Sequence, residues 1–216
     1  LLNWGVFHVK PSMIQHWANY QKAMKQRAEL LRQQAGSRLL CPWEEIMAKE
    51  AAWLTDERQK YIQELGKSFK KLRKHFDANN TVELLFHPGY SLNEDFTMQL
   101  EKNRREDFFR GYAIAGAHRA DIEFNHNERD AFKFLSQGQV RMLGMSFLLA
   151  QLEFNQTNLG RNTFLMVDDL DSELDFENQK KVLSYIKQSK IQALVTSVNL
   201  DEGRWQEGVF QRITPL

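Results

Sequence analysis

No segment of the form G-x-x-x-x-G-K followed by Ser or Thr occurs in the 216 residues. A nucleotide-binding role therefore cannot rest on a phosphate-cradling loop of that type within this chain. The single cysteine, Cys41, excludes an internal disulfide and a cysteine-based metal cluster and points to a reducing, cytoplasmic setting. Cys41 precedes Pro42 at an expected helix start and reads as a half-buried small residue rather than a reactive thiol. No apolar run approaches the roughly 20 residues that span a bilayer, and no secretory leader is visible, so no membrane role is expected. His8, His16, His75, His87 and His126 show no metal-ligand spacing. The net charge of +1 gives no global attraction to nucleic acid, so any such binding must come from local basic patches. The chain opens on Leu1 and Leu2 without Met, and the start of the protein is expected upstream.

The apolar fraction of 42% is ordinary for a globular chain and supplies a core. Residues 12–35 predict a long amphipathic helix with Ser12 as N-cap and Gly36 as terminator. Met13, Trp17, Tyr20, Met24, Ala28 and Leu31 form one apolar stripe along it. Pro42, at a first helical position, opens a second helix with Glu44 and Glu45 in its first turn. Ile62, Leu65, Phe69, Leu72 and Phe76 continue that stripe to about Asp77, a length on the order of 50 Å. Two striped helices with a short join predict an antiparallel hairpin.

Beyond Asn79 and Asn80 the pattern changes. A strand is expected over 81–86, closed by His87, Pro88 and Gly89, then a helix over 94–109 capped by Asn93. Residues 113–124 alternate as in a hairpin, and 136–154 read as a helix. Fully buried strands are expected over 163–167 and 192–196, with a helix over 176–188 between them and a short last strand over 209–213. The fold class is α/β with a partly parallel sheet: a helical arm over 1–80, a strand–helix connector over 81–110, and an α/β part over 111–216.

Chemistry concentrates between Leu135 and Asp175. Ser136, Gln137, Gly138 and Gln139 stand at a helix N-terminus, where exposed N–H groups and the helix dipole favour an anion. The Ser136 hydroxyl can bond a phosphate oxygen, and Gly138 admits close approach. An ordinary helix cap is the competing reading. Asp168 and Asp169 close an apolar strand and point into the crevice where α/β sheets bind ligands. One carboxylate can hold Mg2+ through water and the other can orient or deprotonate an attacking water. Asp is shorter than Glu, so slow hydrolysis is expected; acids that merely cap the next turn are the alternative. The order of Ser136 loop, helix, polar turn, strand, acidic pair and Ser172-Glu-Leu-Asp175 carries more weight than either piece. His118 and Arg119, within Gly116–Asp121, could meet a nucleotide or a partner subunit, or pair with nearby acids in a satisfied hairpin. Lys67, Lys70, Lys71, Arg73 and Lys74 form a basic run that could neutralise DNA phosphates or simply be a solvated face; Lys102, Arg104 and Arg105 are weaker candidates.

These residues resemble the RecF family of bacterial recombination-mediator ATPases, whose ABC-type ATPase head is similar to that of the SMC proteins. Asn3-Trp4-Gly5-Val6-Phe7-His8 is similar to the family's DWGVFH stretch, with Asn3 in place of Asp. Residues 20–27 resemble its YxxALKQRN helix, and Pro42-Trp43-Glu44 the start of its second helix. Gly116 to Asp121 resembles its GPHRDD element, with Ala117 where Pro is usual. Leu135 to Gln139 and Val167 to Asp175 resemble its phosphate-sensing and magnesium motifs. The resemblance covers essentially the whole chain and implies a family protein without its N-terminal third, where the phosphate-cradling loop would lie.

The resemblance implies a partial ABC-type ATPase head plus an α-helical hairpin arm. It implies ATP and Mg2+ as cofactors and an ATP-dependent homodimer closed around two nucleotides. Binding of single-stranded and double-stranded DNA would follow, with action beside RecO and RecR at gaps, RecA loading, and support of replication, recombination, DNA repair and the SOS response. Carried over by residue, Ser136, Gln137, Gly138 and Gln139 would form the loop that meets the partner subunit's γ-phosphate. Asp168 would serve the metal, Asp169 the hydrolytic water, and Ser172 and Asp175 the dimer contact. Thr196 and Ser197 stand where many ABC enzymes place a switch histidine, and no histidine is there. Without the cradling loop, the chain by itself is expected not to hydrolyse ATP. Two other readings are a non-catalytic DNA-binding or scaffold module and the SMC-like head of a defence-system ATPase; the latter needs a neighbouring nuclease, which this sequence does not show.

Overall fold

The computed structural model describes residues 2–77, 82–160, 164–189 and 191–197. The expected strand at 209–213 lies outside them. The chain divides into two compact units, one of residues 1–67 and 83–125, the other of 68–82 and 126–216. Helix α3, Ser37–Phe76, runs through both.

The first unit holds α1 (Leu2–Val9), α2 (Met13–Arg32), most of α3, β1 (Glu83–His87), α4 (Phe96–Arg110) and β2 (Asp121–His126). Contacts between α2 and α3 match early residues with late ones. His16 meets Glu50 and stacks on Trp53, while Arg27 meets Glu44; the pair is therefore the expected antiparallel hairpin. Its ends differ from expectation. Ser12 sits in the helical region and makes no side-chain cap bond. Gln34, not Gly36, takes the left-handed turn after α2, with φ 53°. Helix α3 begins at Ser37, so Pro42 and Cys41 lie inside it. Asp95 rather than Asn93 caps α4, accepting from the N–H groups of Thr97 and Met98.

The buried line of α2 is Met13, Tyr20, Ala23, Arg27 and Leu31. Arg27, 1% exposed, therefore occupies a core position, and its guanidinium is fully engaged. It donates to Glu44 Oε1 at 2.9 Å, Asp107 Oδ2 at 2.5 Å and the Leu100 carbonyl at 2.6 Å. Arg104 binds the same Glu44. Burial alone would raise the Glu44 carboxyl, but Arg104 and Arg27 hold it below its ordinary range. This node joins α2, α3 and α4.

Strand β1 pairs antiparallel with β2 from Glu83↔Asn125 to His87↔Asp121. The hairpin expected over 113–124 is instead a 3-10 turn, Ala117–Arg119, leading into β2. Gly116 enters that turn at φ 142°, and a Cβ there would collide with the Tyr20 hydroxyl. That hydroxyl lies 2.9 Å from His118 Nδ1, and the Ala113 carbonyl lies 2.9 Å from His118 Nε2. His118 thus pairs with a tyrosine and a carbonyl rather than with acids. Burial lowers its pKa, helped by Arg119 and Arg58 and opposed by the Ala113 carbonyl. Arg119 is exposed and makes no ion pair among the described residues.

Arg58 is also buried. It donates to the Ala117 carbonyl and, through Nε and Nη2, to Asn3 Oδ1, and it lies over the Trp17 ring. None of these partners carries a full charge, and burial pushes its pKa down to about 10. The family stretch that this segment resembles has Asp where the chain has Asn3.

The second unit holds the last turns of α3, β3 (Arg129–Asp130), α5 (Gln137–Leu159), β4 (Phe164–Val167), α6 (Leu170–Glu173), α7 (Phe176–Gln188) and β5 (Gln192–Val195). β4 and β5 pair in parallel, Phe164↔Gln192 to Val167↔Val195, as the strand–helix alternation predicts. Phe69, Leu72 and Phe76 of α3 are buried with Leu143, Phe147 and Ala150 of α5 and with Val182, Leu183 and Ile186 of α7. The two strands are not fully buried as expected. Leu165 and Val167 face the core, while Phe164 is 49% and Met166 72% exposed. Burial alternates because successive side chains leave opposite faces and only one face is covered among the described residues.

Replacing Asn3 by Asp is expected to place a carboxylate opposite the buried Arg58 guanidinium, in the first turn of α1 where the dipole also favours it. A charge-assisted bond exceeds a neutral one by about 1 kcal/mol, which for a chain of this size raises Tm by about 2–4 °C. Thermal unfolding of Asn3→Asp measures it.

Candidate functional site

The expected phosphate-sensing residues and the acidic pair both fall in the second unit. Ser136, at φ −64° and ψ 161°, is the N-cap of α5, and it forms a capping box with Gln139. The Gln139 N–H donates to Ser136 Oγ at 3.3 Å, and the Ser136 N–H donates to Gln139 Oε1 at 2.9 Å. This box is what starts the helix there. It commits Gln139 but leaves the N–H groups of Gln137 and Gly138 without a partner among the described residues. All four residues are exposed, and a Cβ at Gly138 would meet nothing within 4 Å. An anion can therefore approach two helix N–H donors and a hydroxyl whose proton remains free to donate.

The acidic turn follows β4. Asp168 is exposed, and its Oδ1 accepts from the Thr196 hydroxyl at 2.6 Å. Asp169 has φ 49° and ψ 59°, a left-handed conformation uncommon for a residue with a Cβ. It is tied down on several sides. Its N–H donates to Thr196 Oγ1 at 2.8 Å. Its carbonyl accepts from the Ser172 N–H at 3.1 Å and from the Ser172 hydroxyl at 3.0 Å. Its Oδ1 is buried and has no hydrogen-bond partner among the described residues. The next acid, Asp171, bonds the Ser197 hydroxyl.

Ser172 lies in α6, and Asp175 stands between α6 and α7. Asp175 caps α7, accepting from the Asn178 N–H and Nδ2, each at 2.9 Å. Arg141, five residues after Ser136, donates to the carbonyls of Ser172 at 2.6 Å and Glu173 at 3.2 Å. The helix that starts at the anion-ready end is thereby fastened to the acidic turn. Arg141 and Asn178 escape the sequence reading as site-building residues, and Thr196 enters it only as the occupant of the switch position. Their signals are weak: an arginine five residues past a cap, and a hydroxyl just after a strand.

The basic run disperses. Lys67, in the first unit, pairs with Glu64 at 2.7 Å. Lys71 pairs with Glu153 at 3.0 Å, a bond that raises its pKa. Lys70 and Lys74 are exposed. Arg73 is 2% exposed and does not share their surface, because at helical spacing it falls inside the Phe69, Leu72, Phe76 stripe. Burial lowers its pKa, and only Asp77, at 3.5 Å, opposes that. His118 and Arg119 belong to the first unit. No group of three or more His, Cys, Asp or Glu among the described residues could hold a metal ion by itself, and no helix among them is long and apolar enough to cross a membrane.

Comparison with known proteins gives a consistent result. The chain is 30% identical over 198 residues to the DNA replication and repair protein RecF of Shewanella frigidimarina (strain NCIMB 400), covering 92% of this chain and 55% of the relative. It is 27% identical over 197 residues to the protein of the same name from Vibrio vulnificus (strain YJ016), at 91% and 55% coverage. The chain thus spans about half the length of the curated relatives it matches. Its fold is similar to a solved structure of the recombination mediator protein RecF-ATP in the RecFOR pathway. The TM-score is 0.80, with 22% identity over 93% of this chain and 57% of that one. The α/β class with an ABC-type head fragment and long helices therefore stands. The RecF/RecN/SMC N terminal domain matches residues 11–208, and the chain belongs to that family.

Proposed function

We propose that this chain is the larger part of the working machinery of a RecF-like, ATP-dependent, dimeric DNA-binding protein acting in DNA replication and gap repair. The observation that carries this reading is local to the second unit. An exposed helix N-terminus with two unpartnered N–H groups is fastened by Arg141 to an acidic turn at the carboxyl end of a parallel strand pair. In the proposed cycle, Ser136, Gln137 and Gly138 receive the γ-phosphate of a nucleotide held by the partner subunit, with Gln139 holding the loop's shape. Ser172 and Asp175 lie on the dimer contact. His118 and Arg119 are kept as a nucleotide or partner contact. The phosphate-cradling loop, which this chain lacks, is supplied elsewhere in the intact protein.

The donor set fits a hard divalent cation. Asp168 offers one uncommitted oxygen at the strand end, and Mg2+ is commonly held by one or two carboxylates plus substrate phosphates and water. When bound, the cation would neutralise charge on the β and γ phosphates. Asp169, next in the chain, is the residue proposed to orient the attacking water, through its oxygen other than the buried Oδ1. The proposed partners are single-stranded and double-stranded DNA, with RecO and RecR at gaps, RecA loading and the SOS response downstream, in the cytoplasm. The curated relatives' names, DNA replication and repair protein RecF, support the DNA role.

In the intact protein, Asp168→Ala is expected to abolish ATP-driven dimerisation in sedimentation velocity runs; dimers formed as readily as in the wild type would reject the metal role. Ser136→Arg is expected to leave nucleotide binding intact and block dimer closure. Loss of nucleotide binding itself would falsify the in-trans assignment. Reversing charge at Lys70, Lys71 and Lys74 is expected to weaken DNA binding and to flatten its salt dependence, by about 0.9 in the logarithmic slope for each DNA phosphate no longer neutralised. An unchanged slope removes that face from the DNA path.

A further inference from the structure

Every polar group of Thr196 is spent on the acidic turn or on the strand that carries it. The hydroxyl donates to Asp168 Oδ1 at 2.6 Å and accepts from the Asp169 N–H at 2.8 Å. The backbone N–H donates to the Val167 carbonyl at 2.9 Å, and the carbonyl accepts from the Leu170 N–H at 3.0 Å. The residue next to it adds a second tie, Ser197 Oγ to the Asp171 carboxylate. Resting on the nucleotide-site reading above, we propose that Thr196 is the positioning residue of the acidic pair. Its hydroxyl fixes Asp168 through one carboxylate oxygen, reserves the other for a divalent cation's shell, and holds Asp169 in its left-handed turn.

The chemistry of the two bonds supports this. A carboxylate anchored through one oxygen presents the other in a set direction, which is the task outer-sphere partners perform for metal-binding carboxylates. A left-handed backbone carries a cost at any residue with a Cβ, smaller at aspartate than at most, and bonds that hold the turn offset it. The Asp169 N–H to Thr196 bond is one of those bonds. A β-branched side chain suits the task, because χ1 of threonine is restricted and the hydroxyl stays aimed. The hydroxyl's donor and its acceptor bond are both spent on the acidic turn, so Thr196 acts through Asp168 and Asp169 rather than by contact with the reacting atoms.

The test uses the intact protein with Mn2+ as probe and ATPγS as nucleotide, following bound Mn2+ by electron paramagnetic resonance. Thr196→Val keeps the shape and removes the hydroxyl. It is expected to weaken Mn2+ binding by about 10–100-fold, the usual loss for an outer-sphere partner. ATPγS affinity without divalent ion should not change, and Thr196→Ser should restore Mn2+ binding. Thr196→Ala is a second hydroxyl-free variant, with Tm recorded for each. Wild-type Mn2+ affinity in Thr196→Val or Thr196→Ala, beside a loss in Asp168→Ala, overturns the Thr196 role and leaves the site reading intact. Unchanged affinity in Asp168→Ala as well overturns the site reading beneath it. A loss that Thr196→Ser fails to recover also overturns the proposal, because the hydroxyl is then not the cause.

Discussion

The parallel pairing of β4 with β5 runs from Phe164↔Gln192 to Val167↔Val195 and continues one step further, where the Thr196 N–H reaches the Val167 carbonyl. Strands paired this way end at the same edge, so the residues that follow each of them meet. Asp168 and Asp169 follow one strand, Thr196 and Ser197 the other, and their bonds follow from that adjacency. A slip of one residue would exchange the two faces of β5, bringing Leu194 toward the helices and carrying Thr196 away from Asp168. Burial guards against the slip, which would turn the half-buried Ala193 and Val195 outward and the exposed Gln192 inward. The crossover between the strands is α6 and α7, and Asp175 starts α7 by capping it. The same short tract thus builds the ladder and places the acids.

Buried arginines show how this chain handles charge where water is absent. Arg27 meets two carboxylates and a carbonyl. Arg58 meets an amide oxygen, a carbonyl and an indole face. Among the described residues Arg73 meets only Asp77, at 3.5 Å, with no partner there for Nε and Nη1. A buried ion pair adds little net stability over an apolar replacement, but losing one partner costs about 3–5 kcal/mol. The Arg27 node therefore acts chiefly as a register lock. Sliding α2 along α3 would strand Glu44 or Asp107 without its cation. That lock does for the helical hairpin what the parallel ladder does for the strands.

Periodicity makes much of this legible in the sequence. Helix α7 and strand β4 fall where apolar spacing places them, and Ser136 caps α5 as its hydroxyl and the following residues require. Boundaries set by backbone chemistry are harder to read. Pro42 looks like a helix start because proline suits a first turn, yet Ser37 begins the helix five residues earlier and the proline is carried inside. Gly36 looks like a terminator, yet Gln34 takes the left-handed turn. Arg73 groups with its basic neighbours in sequence, whereas the helix sorts residues by angle and puts it among phenylalanines and leucine. The Arg141 tie joins residues about thirty apart in sequence, and no local pattern announces such a bond.

The acids between Val167 and Phe176 can be sorted by what their oxygens do. Asp175 spends both on Asn178, at a helix end where a cap is needed. Both oxygens are thus committed to starting that helix. Asp171 is tied to Ser197. Asp169 precedes α6 but makes no side-chain cap bond, so the reading in which it merely caps the next turn does not describe it. It sits instead in a left-handed backbone with a buried oxygen that no group among the described residues satisfies. Both features oppose stability: a buried acceptor without a donor costs about 1–3 kcal/mol, and the backbone conformation adds its own strain. Asparagine or glycine would fill this position at lower cost, glycine without a penalty for the positive φ and asparagine without a charge. A carboxylate held there against both costs, beside an Asp168 with an oxygen to spare, is more than a plain turn needs, and that surplus supports the proposed role of the acidic pair.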